Sequence, residues 1–113
     1  MDLKERARNM RRNIVKMVYE AQSGHPGGSL SACDIVCYLF LKEMNISEDN
    51  VKSYKRDRFV LSKGHASPVL YAALVEKGLL NEKELSGFRQ VYSKLQGHPN
   101  MNYVAGVDMS TCS

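Results

Sequence analysis

Long apolar runs are missing from this chain. None of its 113 residues belongs to a stretch near the roughly 20 residues that cross a bilayer. The N-terminus is charged from Asp2 and Lys4 onward, so no secretory leader is expected. Cysteine is scarce, with three residues. They form no C-x-x-C pair and no Cys/His zinc spacing. Nothing argues for a disulfide framework, which fits a reducing compartment and a cytoplasmic protein. Histidine is equally scarce, at three. Internal repeats and low-complexity tracts are absent.

What remains is ordinary globular material, 43% hydrophobic and 25% charged. The length suits one domain spanning residues 1–113. Net charge is +4, from 16 Lys+Arg against 12 Asp+Glu. The excess is concentrated in residues 1–16, at Lys4, Arg6, Arg8, Arg11, Arg12 and Lys16. Few aromatics interleave with these charges, so a solvated helix face is expected and nucleic acid is not.

Periodicity predicts a helical chain. Leu3, Ala7, Met10, Ile14, Met17, Val18 and Ala21 make one stripe at three- and four-residue spacing. The loop Ser23–Ser29, with three glycines and a proline, ends that helix. A second helix is expected from Ser29 or Ser31, either one a plausible N-cap. It carries Ala32, Ile35, Val36, Leu39 and Phe40 and is apolar nearly all round, so packing on more than one side is expected. Cys33 and Cys37 share one face of it and read as small buried hydrophobes. Residues 45–57 are polar and read as a connecting loop. Arg58–Ser62 reads as a short strand. A third helix follows, with Ser67 as N-cap, Pro68 at its first position and Gly78 closing it. Asn81 and Glu84 form a capping box for a short fourth helix. From Tyr92 onward the chain reads as loop.

All three histidines adjoin glycine, in Gly24-His25-Pro26, Gly64-His65-Ala66 and Gly97-His98-Pro99. Glycine allows a ligand close to the backbone, and imidazole moves protons near neutral pH. His65 falls after the expected strand and before a helix start, where anionic groups bind. On spacing alone, three separate surface loops are as consistent with the pattern as one assembled site.

The motifs Ser23–Ser31, Asp57–Ala66, Gln96–Pro99 and Gly106–Thr111 together resemble those of transketolases, in the same order and spacing. They fit that family better than the related deoxyxylulose-phosphate synthases. The resemblance covers essentially the whole chain. It is nearest the N-terminal transketolase subunits that occur as separate chains. It implies a doubly wound α/β fold that binds thiamine diphosphate with a divalent metal such as Mg. It also implies transfer of a two-carbon ketol unit between sugar phosphates. This segment itself is then expected to be predominantly α-helical, with one or two short strands.

By the same resemblance, His25 and His98 are catalytic. His25 lies near the reacting oxygen, and His98 binds a substrate hydroxyl. Cofactor contacts fall to His65, Gly64, Thr111 and Cys112. Cys112 stands where the family has a glycine whose backbone approaches the diphosphate. The family's metal-holding motif has no counterpart up to Ser113, so an incomplete site without independent activity is expected. The expected partners are a C-terminal transketolase subunit or a second copy. The alternative from another class is a helical interaction module without catalysis.

Overall fold

The protein is described by a computed structural model covering residues 2–22, 24–88, 95, 106 and 107. Its elements are α1 (Leu3–Ala21), α2 (Gly27–Tyr38), a π-helical turn (Leu39–Glu43), a 3-10 turn (Gly64–Ala66), α3 (Ser67–Lys77) and a 3-10 helix (Glu82–Gly87). Among the described residues there is no strand.

The stripe read from the sequence puts α1 on the core. Ala7, Met10, Ile14 and Met17 are buried, while Lys4, Arg8, Arg12 and Lys16 face water. Asp2 caps the helix by accepting from the Lys4 N–H at 3.0 Å. Gln22 ends it in the left-handed conformation, φ 52°.

The central element is α3. Every residue from Ser67 to Leu74 is buried. Such a helix has no solvent face over two turns, so it must be covered on all sides. The π-helical turn, α1 and α2 all pack on it. Phe88 closes one side, with its ring 6.1 Å from that of Tyr71 and edge-on at 66°. The backbone at Gly106 closes another. A Cβ there would come within 2.7 Å of Leu74 Cδ2, and φ is +95°.

Three sequence expectations change. Arg58–Ser62 is not a strand, and it pairs with none among the described residues. Two of its apolar residues still pack on the core, while Val60 is exposed. Leu61 is buried, and the Phe59 ring lies 5.2 Å from Phe40, edge-on. Second, α2 begins at Gly27 with Pro26 before it, so neither Ser29 nor Ser31 is its N-cap. Third, α3 includes Ser67, and its N-cap is Ala66, which has no capping side chain. As expected, α2 packs on more than one side, against α1 and α3, and it leaves Ile35 and Tyr38 in solvent. The element after Asn81 is 3-10 in form, with the Asn81 side chain accepting from the Lys83 N–H at 2.9 Å.

Polar bonds fix the remaining joints. Arg6 reaches Glu76 on α3 at 3.1 Å, and Arg11 reaches Asp34 on α2 at 2.7 Å. The 45–57 loop is tied at its base. The Asn45 N–H donates to Asp57 Oδ2 at 2.7 Å, and the Asp57 N–H returns a bond to Asn45 O at 2.9 Å. Cys33 and Cys37 are both buried, as the sequence suggested, and donate S–H to Ala7 O and Leu3 O.

Two measurements follow from this packing. Gly78 ends α3 at φ +87° with open space around it, so alanine there meets backbone strain alone. Gly78→Ala should cost about 1–2 kcal/mol in urea denaturation, and Gly106→Ala should cost more because Leu74 must also move. Burial pushes the Cys33 thiol from 9.0 up to about 11. Folding favours the neutral thiol, so its contribution is complete below about pH 9 and is lost as pH rises through about 11. Stability should fall across that window, and Cys33→Ala should flatten the fall.

Candidate functional site

The His65 turn meets the start of α2, a few residues after His25. His25 lies in the link between α1 and α2, and His65 lies in the 3-10 turn that leads into α3. Both side chains are exposed. The His65 ring lies against the first turn of α2. A Cβ built on Gly28 would stand 3.5 Å from His65 Nε2. His25 is three residues before Gly28, so their backbones are within about 11 Å.

Hydrogen bonds hold this junction. The buried Ser29 hydroxyl donates to Ala66 O at 3.1 Å and accepts from the Val69 N–H at 3.3 Å. On the exposed side, Lys63 Nζ donates to Ser31 Oγ at 3.2 Å. The starts of α2 and α3 are thereby side by side. Gly64 is buried in the turn between Lys63 and His65 and serves as backbone support.

The junction is electropositive. The first bond within α2 runs from the Leu30 N–H to Pro26 O at 2.9 Å, so the N–H groups before Leu30 have no intrahelical partner. The N-cap residue, Pro26, makes no side-chain bond to them. Lys63 adds a full positive charge beside that end. A helix start, an ammonium and an imidazole together suit an anionic, phosphate-like group. Space suits it too, because a Cβ on Gly27 would meet nothing within 4 Å.

Sequence reasoning missed Ser29, Ser31, Lys63 and Gly28 as parts of the junction. Ser29 and Ser31 read as helix caps, and pattern alone does not show a bond across 40 residues. The adjacent Gly27 and Gly28 were the available signal, since paired glycines at a helix start mark a close approach. His98, Thr111 and Cys112 lie outside the described residues. Among the described residues no three His, Cys, Asp or Glu side chains could hold a metal. No helix there is long and apolar enough to cross a membrane.

A family model for the transketolase thiamine diphosphate binding domain matches residues 3–113. The chain belongs to the transketolase family. It is 42% identical to human transketolase over 97 residues, 86% of this chain and 16% of that protein. It is 44% identical to the Bacillus subtilis transketolase over 98 residues, 86% of this chain and 15% of that protein. Among solved structures, the Pichia stipitis transketolase complex with sedoheptulose-7-phosphate superposes with a TM-score of 0.89 and 37% identity. It covers 97% of this chain and 16% of that one. Leishmania mexicana transketolase gives 0.89 at 30% identity, covering 99% of this chain and 17% of that one. The chain thus spans about a sixth of the length of these transketolases, and its helices are those of a thiamine-diphosphate-binding α/β fold.

The contact between Gly28 and His65 makes a local prediction. Gly27→Ala adds a methyl to open space and should leave stability within about 0.5 kcal/mol of the parent. Gly28→Leu must displace the His65 ring. The ring resonances in a histidine-selective NMR spectrum should move for Gly28→Leu and stay in place for Gly27→Ala.

Proposed function

We propose that this chain forms the diphosphate-binding part of a transketolase, one that transfers a two-carbon ketol unit between sugar phosphates. The observation that carries the reading is the junction of the α2 and α3 starts, where the His65 ring lies against Gly28, three residues after His25. Thiamine diphosphate fits the residues present. The N–H groups at the start of α2, Lys63 and His65 would hold its diphosphate. When bound, the cofactor supplies the stabilised carbanion chemistry that ketol transfer needs.

The chain's own residues then orient and exchange protons. His25, exposed on the link beside the junction, would hold or move a proton at the reacting oxygen of the sugar. His65 would bind phosphate oxygen through its imidazole, with Gly64 supporting its turn. His98, Thr111 and Cys112 are assigned by family motif, to substrate hydroxyl and diphosphate. A divalent metal such as Mg belongs to the family's cofactor, but the described residues offer no ligand set for it. No step is assigned to it.

The substrates would be ketose and aldose phosphates, because solved relatives carry sedoheptulose-7-phosphate, fructose-6-phosphate and xylulose-5-phosphate. A cytoplasmic setting fits that chemistry. The partner would be a C-terminal transketolase subunit or a second copy. Exposed Val15, Tyr19, Ile35 and Tyr38 give α1 and α2 apolar surface for such a contact.

The test is ketol transfer from xylulose-5-phosphate to an aldose phosphate, with thiamine diphosphate, Mg and a protein supplying the rest of a transketolase. His25→Ala and His65→Ala should each lower turnover by about a hundredfold or more. Transfer indifferent to both substitutions would remove the assignment.

A further inference from the structure

The start of α3 has an unusual cap. Its N-cap residue is Ala66, whose methyl cannot accept a hydrogen bond. Helix starts leave their first N–H groups unsatisfied, and burial makes that costly. The Val69 N–H is in this position, within a segment closed to water. Its partner comes from another helix, since Ser29 Oγ on α2 accepts from it at 3.3 Å. The same hydroxyl donates to Ala66 O at 3.1 Å. Ser29 thus does for α3 what a serine at Ala66 would do in an ordinary cap. It does so from the far side of the site, 37 residues away from Ala66 in sequence.

That displacement has a geometric result. Ser29 follows Gly28, and Ala66 follows His65. Bonding Ser29 to Ala66 therefore sets Gly28 against His65, where Nε2 stands 3.5 Å from a built Cβ. A cap within α3 would satisfy the Val69 N–H equally well, but it would remove the buried tie between α2 and the His65 turn and leave the exposed Lys63–Ser31 bond. Ser29 is fully buried, so it reaches no ligand itself.

We propose that Ser29 is a positioning residue of the site: by capping α3 from α2, its hydroxyl fixes the His65 imidazole over Gly28. This rests on the transketolase reading only for its catalytic consequence. The positioning itself is measurable without turnover.

The experiment compares the unaltered chain with Ser29→Ala and Ser29→Thr by NMR. The unaltered chain should show nuclear Overhauser contacts between the His65 ring and the Gly28 α protons, and a slowly exchanging Val69 amide. Ser29→Ala should lose those contacts and exchange Val69 at least tenfold faster, while core methyl signals of Ile14 and Leu74 stay in place. Ser29→Thr keeps the hydroxyl and should restore both. If the alanine variant does not fold, Ser29→Cys takes its place, being nearly isosteric and a much weaker hydrogen-bonding group. An alanine or cysteine variant that keeps the His65–Gly28 contacts overturns the proposal.

A second readout uses reconstituted ketol transfer. Ser29→Ala should lower turnover about tenfold in a parent background and not at all in a His65→Ala background, because residues acting through one another are non-additive. Equal losses in both backgrounds would make Ser29 a purely structural residue. Absence of transfer in the unaltered protein would count against the transketolase reading and leave the NMR result standing.

Discussion

Burying Ser67–Leu74 on every side is the demand that organises this chain. A helix with no wet face needs neighbours all around it, and α1, α2, the π-helical turn, Phe88 and Gly106 supply them. It also needs its own polar ends satisfied without water. At the far end Gly78 turns into the left-handed conformation, and its N–H reaches Val75 O at 3.0 Å. At the near end the solution draws on α2. The histidine turn lies at that near end, so the requirements of the core and the geometry of the site are settled by the same few atoms.

Much of this was readable from the sequence. The α1 stripe, the burial of Cys33 and Cys37 and the closing role of Gly78 all follow from local rules of period and conformation. These rules act over a few residues, and a single sequence displays them. The departures share a different character. Ser29 and Ser67 carry good capping side chains but do not cap where they stand, because burial redirects Ser29 to a longer-range partner. Arg58–Ser62 has strand composition, yet strandedness is a property of pairs. With no described strand beside it, it runs as an irregular segment anchored by Phe59 and Leu61.

The site was legible in its residues and not in its assembly. Family motifs singled out His25 and His65, and glycine adjacency alone left them as separate loops. Contact between the His65 ring and Gly28 is tertiary information, carried by a bond between residues 29 and 66. The positive charge of the junction was hidden for a similar reason. The basic cluster on α1 dominates the sequence, yet there Arg6 and Arg11 are engaged by Glu76 and Asp34. Lys63, which nothing in the sequence sets apart from the neighbouring Lys55, Arg56 and Arg58, is placed beside the α2 start.

The pinned base of the 45–57 loop has a consequence for how such chains can vary. Asn45 and Asp57 exchange bonds across its neck, and Arg56 reinforces it through Val51 O and Asp57 O. The entropy of closing a loop grows only slowly with its length. Additional residues around the exposed Tyr54 would therefore be felt little at Phe59 and beyond. This detour is a place where a grafted segment or a reporter tag could sit while the helices that flank the imidazoles keep their arrangement.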